Sequence, residues 1–126
     1  MSLQRLQTAL EQATKVSFAV LVGSRANGSA HAESDWDIGI AFEYGIDPLE
    51  RYQQLGDLQV QLAQATGLHP DQLDLIDIAQ AGLAMREQIA NYGVLLKGDN
   101  TLVWSRFLTK TWRELEMFQW EKEHGV

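Results

Sequence analysis

Two aspartates separated by a single residue, Asp35 and Asp37, carry the clearest chemical signal in this chain. Side chains at positions i and i+2 of a strand point to the same face, with Cα atoms about 6.5–7 Å apart. The two carboxylates can therefore converge on one divalent cation or on a pair. Oxygen-only ligands suit Mg²⁺, which takes its other ligands from water and substrate phosphates. Two such ions can hold the attacking and leaving oxygens of a phosphoryl transfer.

The same spacing makes the two carboxylates repel each other, so one of their pKa values is predicted to rise. Without a cation this repulsion lowers stability, so a purely structural role does not explain the pair well. The alternative is a solvated strand edge or turn, because Asp-x-Asp is common by chance.

Gly23-Ser24 ends the preceding apolar run and predicts a phosphate site. A glycine lets the backbone approach a ligand closely. The serine hydroxyl and the N–H groups at a helix start can bind a β- or γ-phosphate. The alternative is an ordinary strand end followed by an N-cap serine.

A third carboxylate is expected from the later apolar run, which contains Asp74 and Asp77. Positions three apart on a regular strand face opposite sides, so only one of them can join Asp35 and Asp37. We favour Asp74, which could bind metal and accept the proton of an attacking hydroxyl. Asp77 stays open as the alternative, and ordinary strand polarity would explain either.

Helical and strand periodicities alternate along the chain and predict the elements that position these residues. Helices are predicted at residues 2–14, 24–29, 80–92 and 101–123, and from the Asp47-Pro48 start to Gly67. Strands are predicted at 16–22, 37–42, 73–78 and 94–96, with a loop at 30–34. Trp36, Ile38, Ile40 and Phe42 should share one face of the second strand, opposite Asp35, Asp37 and Gly39. The fold class is α/β (α+β), a small mixed sheet flanked by helices.

Two helical segments carry apolar residues whose faces can be predicted. In residues 80–92, Met85, Ile89 and Tyr92 should lie on one side. The C-terminal helix has a stripe that could be core, and tryptophans that recur every eight residues. Tryptophan is favoured at interfaces, so at least one should face a partner. The stripe consists of Phe107, Leu108, Thr111, Leu115 and Phe118, and the tryptophans are Trp104, Trp112 and Trp120.

The composition indicates one domain, residues 1–126, ending in the long helix. The chain has no cysteine, which suits a reducing cytoplasm. No apolar run reaches the roughly 20 residues of a membrane helix, and no secretory signal is expected. A net charge of −7 disfavours an extended nucleic-acid surface, whose affinity would come from phosphate neutralisation. A small nucleotide site is still compatible, because bound metal can reverse the local charge.

The pattern Gly23-Ser24, then Asp35-Trp36-Asp37, with Asp74 later, is similar to that of the DNA polymerase β nucleotidyltransferase superfamily. The runs 23–30 and 34–38 resemble the minimal nucleotidyltransferases in particular. These are the MNT antitoxins of bacterial and archaeal HEPN–MNT toxin–antitoxin pairs. The similarity covers roughly residues 16–98.

The resemblance implies a polymerase β-like fold and Mg²⁺-dependent transfer of AMP from ATP, with two ions. It implies that the acceptor is a tyrosine hydroxyl of a partner HEPN ribonuclease, which is thereby neutralised. Asp35, Asp37 and Asp74 would be the catalytic metal ligands, and Gly23, Ser24 and Arg25 would bind the nucleotide. For Arg25, which would neutralise phosphate charge, the alternative is a solvent-exposed helix residue. The alternatives are a non-catalytic antitoxin that acts by occlusion and a nucleotidyltransferase that acts on a small molecule.

Overall fold

A four-stranded mixed sheet organises the chain, with helices packed on both of its faces. The computed structural model describes residues 3–32 and 34–125. Its strands are β1 (Val16–Val22), β2 (Trp36–Phe42), β3 (Leu73–Asp77) and β4 (Val94–Lys97). Its α-helices are α1 (Leu3–Glu11), α2 (Ser24–Asn27), α3 (Pro48–Thr66), α4 (Leu83–Glu87) and α5 (Leu102–His124). The predicted fold class is confirmed. Ser2, in the predicted first helix, and Glu33, in the predicted loop, lie outside the described residues.

The strand order β3-β2-β1-β4 places the two longest strands at the centre. β1 runs antiparallel to both β2 and β4. β2 and β3 are parallel, so they need a long crossover, which α3 supplies. This crossover brings the amino ends of β2 and β3 to the same edge of the sheet.

β1 contributes side chains to both hydrophobic layers, because successive residues of a strand face opposite ways. Ala19 and Leu21 pack with α1 and α3. Phe18, Val20 and Val22 pack under α5 and the segment around Ile89. In β2, the predicted apolar face is confirmed, since Trp36, Ile38 and Ile40 are buried in the α1/α3 layer and Phe42 packs against it. Gly39 faces the other layer, where an added Cβ would meet Ile78 and Ile89.

α3 begins and ends with the caps that its sequence predicts. The Asp47 carboxylate accepts a hydrogen bond of 2.9 Å from the Glu50 backbone N–H, and Pro48 occupies the first turn. Gly67 closes the helix with a φ of 78°. The Glu50 side chain pairs with Lys15 at 2.9 Å, so it ties the helix start to the loop before β1.

The predicted helix at 80–92 is interrupted. A 3₁₀ turn covers Ile78–Gln80, α4 covers only five residues, and a π-helical turn follows at Gln88–Tyr92. A π turn holds more residues than an α turn, so the helical face shifts. Ile89 is fully buried whereas Tyr92 is 64% exposed, so Tyr92 does not join the buried face on which Ile89 lies.

The long helix α5 packs on the sheet with its first half only. Val103, Trp104 and Phe107 contact the core layer, and Thr111 is buried. Every side chain from Glu116 to Trp120 is exposed, so the predicted core position of Phe118 is wrong. Trp112 and Trp120 are also exposed, which fits the expected partner surface.

Among the residues that the structure describes, no helix, α5 included, combines the length and the apolar character needed to cross a bilayer.

Candidate active site

Asp37 and Asp74 lie side by side at the amino ends of two adjacent strands. The parallel register pairs Asp37 of β2 directly with Asp74 of β3, and neighbouring strands are about 4.8 Å apart. Both follow an apolar residue that faces the α1/α3 layer, Trp36 and Leu73, so both carboxylates point to the opposite face. The crossover therefore brings together two acids that are distant in sequence.

Asp35 directly precedes β2 and is exposed. Its charge acts on Asp37, as does that of Asp74. The pKa of the Asp37 carboxyl is raised, first by partial burial, then by the charges of Asp74 and Asp35, and by a side-chain hydrogen bond with Asp74. The predicted rise in one pKa thus falls on Asp37, where burial contributes most and Asp74 is the stronger of the two charged neighbours.

Gly23 lies against the Asp37 carboxylate at the end of β1. Val22, the last residue of β1, pairs with Asp37 across the antiparallel ladder. Gly23 then adopts φ 74° and ψ −152°, a region that is essentially limited to glycine. A Cβ at this position would lie 2.7 Å from Asp37 Oδ2. Glycine is therefore required here both by backbone conformation and by contact with the carboxylate.

Ser24 opens α2, a single helical turn beside the carboxylates. The backbone N–H groups of Ala26 and Asn27 both donate to the Gly23 carbonyl, at 3.0 and 3.2 Å. The serine is half-buried. The structure thus brings Gly23-Ser24 to the edge of the sheet where Asp37 and Asp74 lie.

Arg25 is engaged with protein groups on the other side of β2. Its Cζ lies 4.4 Å from the centroid of the Trp36 ring. Its Nη2 donates to the carbonyl of Ser34 at 2.8 Å and to that of Ala32 at 3.4 Å. Because Trp36 and Asp37 face opposite ways, the guanidinium is separated from the carboxylates by the strand. The structure therefore does not place the guanidinium of Arg25, a predicted nucleotide-binding residue, beside the carboxylates of Asp37 and Asp74.

The sequence does not predict the Arg25–Trp36 contact. This contact holds the loop that leads to Asp35, since Arg25 binds the carbonyl just before it. An arginine and a tryptophan in one stretch carry no pairing signal, because the contact depends on the path of the loop between them.

Asp77 lies on the face of β3 opposite to Asp74 and is bound there by other protein groups. Its Oδ2 accepts from Arg51 Nε of α3 at 2.9 Å, and its Oδ1 accepts from the backbone N–H of Ala79 at 3.1 Å. Its side chain is only 9% exposed. Asp74, in contrast, is exposed next to Asp37. The geometry therefore favours Asp74 over Asp77 as the third carboxylate.

Carboxylate oxygens are suitable ligands for a hard cation such as Mg²⁺. Two of the three carboxylates, those of Asp37 and Asp74, also lie side by side. Within residues 3–32 and 34–125, no three Asp, Glu, His or Cys side chains are grouped closely enough to hold a metal as they stand. Mg²⁺, however, commonly uses only one or two carboxylates and completes its shell with water and phosphate. The paired Asp37 and Asp74, whose repulsion a cation would relieve, meet that requirement.

Most of the chain matches a known protein family. The profile of the family described as "Polymerase beta, Nucleotidyltransferase" matches residues 4–101. No curated protein matches the chain significantly in sequence.

Solved structures match over nearly the whole chain. A toxin–antitoxin crystal structure with AMP-PNP has a chain 24% identical to this one, with a TM-score of 0.73 over 98% of this chain and 94% of that chain. A structure of tri-AMPylated Shewanella oneidensis HEPN toxin in complex with MNT antitoxin has a chain 21% identical, with a TM-score of 0.66 and the same coverage. At these identities the likeness establishes a shared fold.

Proposed function

Because this chain belongs to the polymerase beta nucleotidyltransferase family, we propose that it is an antitoxin of the minimal nucleotidyltransferase type. It transfers AMP from ATP to a tyrosine hydroxyl of a partner HEPN toxin in the cytoplasm and thereby neutralises the toxin. The observation that carries the proposal is the pairing of Asp37 with Asp74, next to a glycine against which the Asp37 carboxylate rests.

The reaction is an in-line displacement at the α-phosphorus of ATP. The tyrosine oxygen forms a bond to that phosphorus while the bond to the β-phosphate oxygen breaks, and pyrophosphate leaves. Asp74 accepts the phenolic proton. Gly23-Ser24 holds the triphosphate through backbone N–H groups and the hydroxyl. Asp35, Asp37 and Asp74 would hold Mg²⁺, which when bound supplies charge stabilisation at the phosphates.

A protein acceptor is supported by two observations. The net charge of −7 is unfavourable for a polynucleotide acceptor. The fold is shared over 98% of the chain with a chain from a complex that contains an AMPylated HEPN toxin.

The test is transfer from labelled ATP. We expect the chain, with Mg²⁺ and the toxin encoded next to it, to add AMP to a toxin tyrosine, identified by mass spectrometry. The Asp35→Asn/Asp37→Asn variant should lose this activity, whereas Asp57→Asn, an exposed acid on α3, should keep it. Label found on a small molecule and never on the toxin would sink the assignment of the acceptor.

The exposed aromatic residues of α5 favour a second candidate, neutralisation by occlusion. Trp112, Phe118 and Trp120 are each about half exposed, at 45%, 57% and 50%, as expected for an interface. The same double variant separates the two candidates. If it neutralises the toxin as well as wild type does, occlusion replaces catalysis.

A further inference from the structure

A cavity of about 470 Å³ lies at the end of the sheet opposite to the carboxylates. One wall is formed by residues 41–46, at and after the carboxyl end of β2, and by Ile78, Ala79 and Ala81, which follow β3. The first half of α5 forms another wall. Asp37 and Asp74 lie at the amino ends of the same strands. The volume is within the range of small-molecule sites.

The cavity collects positive charge in an acidic protein. Four cationic side chains line it, against Glu43 and Glu114 as the acidic ones, although the whole chain has 17 acids and only 10 Lys and Arg. The cations are Arg51, Arg86, Arg106 and Lys110.

Two of these cations are already neutralised and two are not. Arg51 is paired with Asp77, and Arg86 with Glu114. Arg106 and Lys110 make no ion pair or side-chain hydrogen bond with any residue that the structure describes. They lie one helical turn apart on α5, where like charges destabilise a helix. A bound anion would relieve that repulsion.

Thr111 lies in the wall of the cavity with its hydroxyl closed off from solvent. It is 0% exposed, and its hydroxyl has no hydrogen-bond partner among the residues that the structure describes. An unpaired buried hydroxyl is unfavourable. Three other helical threonines in the described chain donate to the carbonyl four residues earlier. These are Thr8 at 2.9 Å, Thr66 at 2.6 Å and Thr109 at 3.1 Å.

The cavity also offers an apolar floor. Phe18, Ile78 and Phe107 line it, and Phe18 and Phe107 are in ring contact at 5.3 Å. A ligand that matches the two unpaired cations and the Phe107 ring needs an apolar, preferably aromatic, body and a compact anionic end. Arginine and lysine are the side chains that bind phosphate.

We propose that this cavity binds a small aromatic phosphate monoester, of the class of nucleoside monophosphates. The phosphate is held by Arg106 and Lys110, and the aromatic body packs against the partly exposed ring of Phe107. The proposal is independent of the transferase function, since it uses none of the carboxylates Asp35, Asp37 and Asp74.

The test is a methyl NMR titration of the whole chain with AMP in EDTA. Ile78 and Val103 report on the cavity, and Val22 reports on the carboxylate end. We expect saturable shifts of Ile78 and Val103 with Val22 unchanged. Adenosine and inorganic phosphate, each with half of the recognised chemistry, should bind at least 10-fold more weakly.

Variants of α5 assign the binding. Arg106→Gln/Lys110→Gln should weaken AMP binding at least 10-fold. The control Arg113→Gln/Lys122→Gln removes the same charge from exposed positions of the same helix outside the cavity and should bind as wild type does. Thr111→Val should raise the thermal midpoint, because it removes an unpaired buried hydroxyl, and should leave AMP binding unchanged, because that hydroxyl is closed off from the ligand.

Three results would overturn the proposal. AMP could shift only Val22, or the two double variants could bind AMP equally. The cavity methyls could also shift with the toxin and not with AMP, which would make this region a protein interface. None of these results depends on Mg²⁺, toxin modification or turnover, so they are separate from a failure of the proposed function.

Discussion

The raised pKa of the Asp37 carboxyl makes the stability of the folded protein depend on pH. Burial and the charges of Asp74 and Asp35 raise its pKa, so the folded protein holds the Asp37 proton more tightly than the unfolded chain does. The stability that this proton supports is complete below the unfolded value of about 3.9. It is lost as the pH rises through the raised pKa. At neutral pH, without a cation, ionised Asp37 therefore opposes folding.

Asp37→Asn should make the metal-free protein more stable at pH 7, because it removes the charge that Asp74 and Asp35 repel. The gain in free energy of unfolding should disappear near pH 3.5, where wild-type Asp37 is protonated, and should shrink when Mg²⁺ is added. Urea unfolding at both pH values, with EDTA and with Mg²⁺, measures this. AMP transfer should fall by roughly 100-fold or more.

The control for this prediction is Asp57→Asn, which alters an exposed acid on α3. It should leave both stability and transfer unchanged at either pH. An Asp37→Asn protein that is less stable than wild type at pH 7 would contradict the electrostatic explanation.

Gly23 and Gly28 form a natural pair for testing the contact with Asp37. Both have positive φ, 74° and 81°, but only Gly23 has the carboxylate where a Cβ would stand. Gly28→Ala should cost about 1–2 kcal/mol from backbone strain alone. Gly23→Ala should cost more, about 2–3 kcal/mol, because its ψ is also restricted to glycine and Asp37 must move.

Urea unfolding measures both costs, and the transfer assay separates them further. Gly23→Ala should abolish AMP transfer, whereas Gly28→Ala, which meets no atom within 4 Å, should retain it. Equal losses of transfer in the two variants would show that displacement of Asp37 is not the cause.

At the scale of elements, the loop from α2 to β2 is held by the Arg25–Trp36 contact. Arg25 stacks on the ring and binds the Ala32 and Ser34 carbonyls, so one side chain fixes the approach to Asp35. Lysine cannot reproduce a planar stacked contact with several donors. This contact gives Arg25 a positioning role that does not require phosphate.

Arg25→Lys should lower kcat for AMP transfer several-fold and cost about 1 kcal/mol of stability, while KM for ATP stays the same. Steady-state kinetics and urea unfolding measure these effects, with Arg5→Lys on the exposed side of α1 as the control. A raised KM with unchanged kcat would instead indicate that Arg25 contacts the nucleotide.

The elements themselves were largely predictable, because periodicity and caps are local signals. Asp47 with Pro48 and Gly67 delimit α3 as predicted. The π turn at Gln88–Tyr92 was missed because no residue pattern marks an extra residue in a turn. The sequence favours Asp74 over Asp77 as the third carboxylate but cannot decide between them. The reason is that the ion pair that occupies Asp77 is made with Arg51, which is distant in the chain.

On the scale of the whole molecule, β1 joins two hydrophobic layers into one structure. Leu21 belongs to the layer with Trp36, and Val20 to the layer with Trp104. Loss of β1 from the sheet would expose both layers together. The predicted single domain should therefore unfold as one unit.

Two single-tryptophan variants test this unit. One keeps Trp36 and the other keeps Trp104, with the remaining tryptophans changed to Phe. Each variant followed by fluorescence should unfold at the same urea midpoint as by far-UV circular dichroism, with m of about 1–3 kcal/mol/M. A Trp104 signal that is lost before the dichroism changes would mean that the α5 layer unfolds independently.

The parallel pairing of β2 with β3 also has a consequence during translation. A ribosome that adds about 5–20 residues per second releases Asp35 and Asp37 seconds before Asp74, because all of α3 lies between them. Until β3 emerges and docks beside β2, the nascent polypeptide holds only part of the carboxylate group. If the proposed function holds, a nascent chain cannot transfer AMP until β3 has docked and Asp74 lies beside Asp37.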